Sequence, residues 1–331
     1  MSQKQHQQEK QEQLPQILVL GPPLVYKNHE HEFAKRFQIL KPWESSLPIH
    51  LFLSTYCGSI QAVLTSGLFK ITADGVLCHL PSLRLIVTTS VGLNHINLHE
   101  CRRRGIIIAN AAGVSSEDVA ELGVGLLINV LRKVPAGDRY VRTGIWMTNG
   151  HYPLGSKVGG KRIGIVGLGS IGCEVAKRLE AFGCRISYNS QREKPSVPYQ
   201  FYSNVCELAA NSDALIICCT LTDETRHMIN KEVILALGKD GVIVNIARGA
   251  IIDEKEMIKC LINGEIGGAG LDVLENEPLV PSELYAMDNV VLTQHVGVHT
   301  NESVSDRFEA VVGNLEAFFS NKLLLTPVLN Y

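Results

Sequence analysis

The sequence predicts an α/β protein with two parallel-sheet domains, and three observations lead there. From Pro15 onward, short apolar, β-rich runs alternate with helix-like stretches. The alternation starts afresh at Arg162, in a second series that opens on a glycine-punctuated turn. The chain also has 331 residues, 45% of them apolar and 19% charged, enough to bury two cores rather than one.

Taken in order, Met1 to Gln13 are mostly Gln, Lys and Glu with almost nothing to bury, so residues 1–14 are expected to form a disordered tail. This stretch lacks both the apolar core of a secretory signal and the arginines of an organelle transit peptide, and the chain does not end in a peroxisomal tripeptide. The cytoplasm is the expected location. Ile17 to Leu20, Ala62 to Thr65, Leu85 to Thr88 and Ile106 to Ala109 read as buried strands of a parallel sheet. Ser115-Ser116-Glu117-Asp118 then sets a capping side chain and acids ahead of an apolar stretch to Leu131, a long helix able to join two domains. The second series supplies candidate strands at Ile163 to Val166, Ile186 to Tyr188, Ala214 to Cys218, Val242 to Ile246, Gly268 to Asp272 and Val290 to Thr293. Beyond His295 the pattern returns to helix, Ser303 to Phe319, too short for a further domain and expected to pack back on the first. The expected boundaries are therefore 15–112 with 300–331, and 113–299, with a cleft between the two.

Charge and cysteine usage narrow the partners. A net charge of -2 gives no broad electrostatic reason to bind nucleic acid or an anionic membrane. No apolar run approaches the ~20 residues of a spanning helix. Small molecules are the expected ligands. The nine cysteines include no C-x-x-C pair, and Cys218-Cys219 lie in a very apolar run, which points to buried thiols in a reducing compartment, without disulfides or zinc.

The glycine turn reads Gly167-Leu168-Gly169-Ser170-Ile171-Gly172, spaced as G-x-G-x-x-G. Alone it is a weak signal, since glycines also mark ordinary turns. Its context is what counts: four apolar residues precede it, and Ile171 to Phe182 continue as a helix with Val175, Leu179 and Phe182 on one face. That strand, turn and helix suit a dinucleotide pyrophosphate, with backbone N–H groups and the helix N-terminus facing it. The next strand should end in an acid for the adenosine ribose, yet it reads Ser190-Gln191-Arg192-Glu193-Lys194. Without the acid, nothing repels a 2′-phosphate; Ser190 can donate to it, and Arg192 and Lys194 can supply charge. NADP(H) is the favoured cofactor, with NAD(H) usable if the loop is merely solvated.

Three further segments follow predicted strands: Asn245-Ile-Ala247-Arg248-Gly249, Gly270-Leu-Asp272 through Glu277-Pro278, and Thr293-Gln-His295-Val-Gly297. Residues past the carboxyl ends of strands in an open α/β sheet line the ligand crevice, so Arg248, Glu277 and His295 are expected to converge there. Arg offers a planar fork to a carboxylate, His a proton near neutral pH, and Glu holds that His oriented and charged. Singly, each reads more simply as a surface salt bridge, a solvated turn and a structural histidine. Together, behind a nucleotide turn, they suit a 2-keto or 2-hydroxy acid beside a hydride carrier. His299, four residues after His295, invites a metal reading, but Gly297 weakens a helix there and no metal is expected.

These motifs resemble the D-isomer-specific 2-hydroxyacid dehydrogenase family over nearly everything after the tail. Within it, Tyr188-Asn-Ser190 and Leu221-Thr-Asp-Glu-Thr225 look most like the plant glyoxylate/hydroxypyruvate and hydroxyphenylpyruvate reductases. The resemblance implies two Rossmann-like parallel-sheet domains with the active-site cleft between them, 113–299 binding the dinucleotide and the other domain the substrate. It implies Arg248 as substrate anchor, Glu277 as partner of the histidine and His295 as acid/base, with hydride leaving nicotinamide C4. It adds Ser90, Val91 and Gly92 as substrate-carboxylate donors, Thr220, Ala247 and Gly297 as cofactor contacts, and a homodimer. Asp272 either shapes the nicotinamide side or serves as a structural hydrogen-bonding group. The family often has Pro at positions 220 and 294 and Phe at 274, where this chain has Thr220, Gln294 and Leu274. An NAD-linked dehydrogenase for another D-2-hydroxy acid, and a nucleotide-sensing corepressor-like module, are the alternatives.

Overall fold

Every apolar run named above forms a strand of a computed structural model that describes residues 14–111 and 113–329. The tail expected over 1–14 lies, Leu14 apart, outside the described residues. The chain divides into two compact units, one made of the residues up to Ser115 and those from Thr300 onward, the other of Ser116–His299.

In the first unit, β1 (Gln16–Leu20), β2 (Gln38–Leu40), β3 (Ala62–Thr65), β4 (Leu85–Thr88) and β5 (Ile107–Asn110) form a parallel sheet in the order β2-β1-β3-β4-β5. Helices α1 (Leu24–Ala34), α2 (Ile49–Tyr56) and α3 (Leu98–Arg104) join them. In the second unit, β6 (Arg162–Val166), β7 (Arg185–Asn189), β8 (Gln200–Phe201), β9 (Ala214–Ile217), β10 (Val242–Asn245), β11 (Gly268–Leu271) and β12 (Val290–Leu292) form a sheet ordered β12-β11-β10-β9-β6-β7-β8. Its helices are α4 (Ser116–Arg132), α5 (Val134–Arg142), α6 (Trp146–Asn149), α7 (Ser170–Ala181), α8 (Val205–Ala210), α9 (Lys231–Leu237) and α10 (Glu254–Ile262). After it, α11 (Asn301–Phe319) returns to the first unit.

The runs lack polar alternation because both faces of each sheet are covered. Ile17 and Val19 join one cluster with Phe33 of α1 and Phe308, Val311 and Leu315 of α11, while Leu18 and Leu20 join Leu53 and Cys101 on the other face. In the second unit Ile163 and Ile165 meet Leu127 of α4 and Val175 and Leu179 of α7; Val166, Leu215, Ile217 and Ile243 meet Val233 of α9 and Met257 of α10. Each such side chain taken wholly out of water contributes about 1.5–3 kcal/mol. Helix entry is set by side chains as well: Asn230, Asp253 and Thr300 each accept from an N–H of the first turn of α9, α10 and α11.

Two strands, β2 and β8, form no apolar run and were not expected. Each lies at a sheet edge, pairs with one neighbour and is only partly buried, so no run of buried side chains marks it. Between β6 and β9 the strand order reverses direction, which opens a crevice at their carboxyl ends.

Candidate active site

The glycine turn sits at that reversal. Gly167 follows β6 with φ +94°, and its N–H bonds to the Asn189 carbonyl at 2.8 Å. A Cβ there would lie 2.6 Å from the backbone of Cys219, just past β9. At Gly172 a Cβ would meet the Gly167 carbonyl at 2.3 Å, so this glycine lets α7 pack down on the strand it follows. Gly169 differs, because nothing lies within 4 Å of its Cβ position. It faces open space at the head of α7, whose N-terminal N–H groups receive no side-chain cap from Gly169. Tight packing at two glycines and an open approach at the third fit a bound pyrophosphate. Leu168 is buried beneath the turn, while Ser170 is exposed and Ile171 half-buried.

The strand end beside it is an ordered loop. Ser190 Oγ donates to the Arg192 carbonyl at 2.6 Å, and the Lys194 N–H donates to the hydroxyl of the fully buried Tyr188 at 2.7 Å. Lys194 Nζ folds back to donate to the Leu168 carbonyl, which carries its charge to the glycine turn. Gln191 and Arg192 are exposed, and Arg192 has no carboxylate partner among the described residues. Arg192 and Lys194 thus bring positive charge to this loop, and Ser190 stands at the strand end in place of an acid. Thr220, past β9, is exposed, and its carbonyl accepts from Thr225 Oγ1 at 2.7 Å.

Arg248, Glu277 and His295 lie past the carboxyl ends of three neighbouring strands, β10, β11 and β12. The first turn is folded by the buried Asn245: its Oδ1 accepts from the Ala247 N–H at 3.0 Å and its Nδ2 donates to the Arg248 carbonyl at 2.9 Å. Arg248 Nη1 donates to the Ala247 carbonyl at 2.6 Å. Glu277 Oε1 accepts from the Leu274 N–H at 3.0 Å, and Oε2 pairs with His295 Nδ1 at 2.8 Å. An ionised carboxylate only accepts, so Nδ1 carries the proton and Nε2 is left to exchange one with a ligand. His295 itself has a left-handed backbone, φ +56°. Asp272 holds it there. The Asp272 carbonyl accepts from the His295 N–H at 2.8 Å, Oδ1 accepts from Val296 N–H at 2.8 Å and Thr293 Oγ1 at 2.6 Å, and Oδ2 from Gly297 N–H at 3.0 Å. Of the two roles left open for Asp272, the structure displays the hydrogen-bonding one.

The local charges are set by competing effects. Burial pushes the Glu277 carboxyl up, but the hydrogen bond and charge of His295, the Leu274 N–H and the charge of Arg248 outweigh it and hold the carboxyl below the usual range. Burial lowers the Arg248 pKa, against the pull of Glu277. Beside the turn, burial pushes the Cys219 thiol up to about 11, which keeps it protonated and unreactive. Among the described residues no group of three or more His, Cys, Asp or Glu side chains is arranged to hold a metal ion.

Ser90, Val91 and Gly92 belong to the first unit, in the loop after β4. Ser90 Oγ donates to the Gly92 carbonyl at 2.9 Å, and Asn110 Nδ2 donates to the Val91 carbonyl at 3.0 Å. The Val91 and Gly92 N–H groups have no acceptor among the described residues. Sequence reasoning passed over His227, Glu254 and Glu275, which surround the Glu277 loop. His227 Nε2 lies 2.8 Å from Glu275 Oε1 across 48 positions of sequence. No local pattern signals such a pair.

Residues 124–297 match the family described as D-isomer specific 2-hydroxyacid dehydrogenase, NAD binding domain. The chain is 53% identical to glyoxylate/hydroxypyruvate reductase HPR3 of Arabidopsis thaliana, over 95% of this chain and 97% of that protein. It is 46% identical to hydroxyphenylpyruvate reductase of Plectranthus scutellarioides, over 95% and 98% respectively. Among solved structures, an NADPH-dependent glyoxylate/hydroxypyruvate reductase from Sinorhizobium meliloti, in complex with NADP and malonate, superposes with a TM-score of 0.85 at 32% identity, covering 95% of this chain and 96% of that one.

Proposed function

Since the chain belongs to the D-isomer-specific 2-hydroxyacid dehydrogenase family, we propose that it reduces small 2-keto acids, glyoxylate and hydroxypyruvate foremost and hydroxyphenylpyruvate as a further candidate, to D-2-hydroxy acids with NADPH. The observation that carries the reading is the 2.8 Å His295–Glu277 pair beside Arg248 on the sheet that holds the glycine turn. When bound, the reduced nicotinamide supplies a hydride from C4 to the α-carbon. Arg248 grips the carboxylate with its fork and polarises the keto oxygen, and His295 delivers the proton to that oxygen from Nε2. Glu277 keeps the imidazole oriented through its 2.8 Å contact with Nδ1. In the Ser90, Val91 and Gly92 loop, the N–H groups of Val91 and Gly92 are the proposed further donors to the carboxylate, that of Ser90 being already donated to Thr88 Oγ1 at 3.3 Å.

On this reading Ser116–His299 binds the dinucleotide and the other unit the substrate. Gly167 to Gly172 take the pyrophosphate; Ser190, Gln191, Arg192 and Lys194 face the adenosine end; and Thr220, Ala247, Asp272 and Gly297 complete the cofactor side. A homodimer is supported by the exposed apolar side chains Val141, Trp146, Met147 and Leu154, the last two 93% exposed. A monomer mass in sedimentation equilibrium would overturn it. A cytoplasmic location is supported by nine cysteines without a disulfide, and import of the tagged full chain into an organelle would count against it. The deciding experiment is a panel of 2-keto acids assayed with NADPH and NADH. Turnover of hydroxypyruvate or glyoxylate, faster with NADPH, is expected; no turnover of any member defeats the reading.

A further inference from the structure

The loop that carries Glu277 lies outside any helix or strand, yet the chemistry proposed above needs its carboxylate held to a fraction of an ångström. Three contacts converge on Glu275, two residues before Glu277. Its N–H donates to Glu254 Oε2 at 3.0 Å, its Oε1 pairs with His227 Nε2 at 2.8 Å, and its peptide nitrogen is packed so closely on Gly249 that a Cβ there would lie 2.3 Å from it. The same Cβ would fall 1.9 Å from the Leu274 carbonyl carbon, so the Arg248–Gly249 turn and the Glu277 loop touch backbone to backbone.

His227 reaches both segments. Its side chain grips Glu275, while its N–H donates to the Ala250 carbonyl at 2.9 Å, two residues past Arg248. The chain beyond it stays tied to the same turn, with the Ile229 N–H on the Ile251 carbonyl and the Asp253 N–H on the Ile229 carbonyl, each at 3.0 Å. At φ +51° the His227 backbone is left-handed, a conformation held by these contacts rather than by intrinsic preference. Glu254 opens α10 and is 7% exposed; burial pushes its carboxyl above the usual range, with the Glu275 N–H acting the other way.

We propose that His227, Glu275 and Glu254 form a brace that positions Glu277 against Arg248, making His227 and Glu254 positioning residues for the reaction. A partly exposed His–Glu pair adds little to global stability. Its effect therefore falls on placement, and turnover should suffer more than stability.

This inference rests on the proposed reductase activity, and two substitutions test it. His227→Asn tolerates the left-handed backbone but stops short of Glu275, whereas His227→Gln can reach it. In steady-state reduction of hydroxypyruvate by NADPH, His227→Asn is expected to lose about tenfold in kcat with the KM for NADPH and the thermal midpoint unmoved. His227→Gln should restore most of it. Adding Glu275→Ala to His227→Asn should cost no more than the first change, since both remove one interaction. Parental kcat in His227→Asn, failure of Gln to restore it, or losses that multiply in the double variant would each overturn the brace. Amide hydrogen exchange at Leu274 and Glu275 supplies an arm that needs no turnover: it should quicken in His227→Asn and return in His227→Gln. Unchanged exchange overturns the brace even if the parent reduces every keto acid offered, while a parent without turnover defeats the functional reading alone.

Discussion

His295 has one ring nitrogen committed to Glu277 and the other open, so replacing it should separate proton delivery from binding. His295→Ala is expected to lose about 10² to 10⁴ in kcat while retaining NADPH affinity by fluorescence titration. Glu277→Gln should instead disturb orientation: an amide in place of the carboxylate weakens the charge-assisted hydrogen bond to Nδ1, so kcat should fall while NADPH affinity is retained. The same carboxyl has a consequence for stability. Glu277 titrates below the usual carboxylate range, so its contribution is complete above that range and is lost as pH falls through the lowered value. Acid unfolding of parent and Glu277→Gln should therefore converge at the acid end, and an unchanged kcat in the variant would show that the two residues do not act as a pair. At the other end of the sheet, Ser190→Asp should reverse the preference for NADPH in kcat/KM, because a carboxylate there repels a 2′-phosphate and accepts from ribose hydroxyls. An unmoved ratio of the two efficiencies would assign selectivity elsewhere.

The loop from Thr293 to Gly297 is an element without regular structure, held by one buried carboxylate with three donors. Asp272→Asn should turn an amide N–H toward one of those donors, costing about 1–3 kcal/mol in denaturant unfolding and lowering kcat as the His295 backbone relaxes. Equal stability and turnover would mean that the loop keeps its shape unaided. Elements of this kind mark where the sequence was legible. Strands buried on both faces announced themselves as unbroken apolar runs, and β3 and β4 begin and end at the expected residues. The glycine turn was legible because backbone geometry allows few substitutes at Gly167 and Gly172. The gathering of Arg248, Glu277 and His295 was legible because each follows a strand, and residues past the strand ends of such a sheet line one crevice. His227 and Glu254 were not, because a contact with Glu275 depends on how separate loops are stacked. Nor were β2 and β8, whose pairing is decided by the neighbouring strand rather than by their own side chains.

At the scale of the molecule, the first unit is written in two pieces of sequence and the second in one. The face of the first sheet that buries Ile17 and Val19 is completed by Phe308, Val311 and Leu315, near the far end of the chain. During synthesis, which runs from the N-terminus, that face must stay uncovered until α11 has left the ribosome. Ser116–His299 waits for nothing: its strands and helices are contiguous, and it closes its own core first. The usual order of domain folding along a nascent chain is thereby inverted. A fragment of residues 116–299 should fold alone, melt cooperatively and be stabilised by NADPH by about 2.7 kcal/mol at a hundredfold excess over its Kd. A chain stopped at His299 should show the same protected core in pulse proteolysis, with β1 to β5 digested. Protection of both sheets in that shortened chain would show that the first unit needs no closing helix. If the order holds, cofactor already present in the cell can be captured by the finished half while the remainder is still being made.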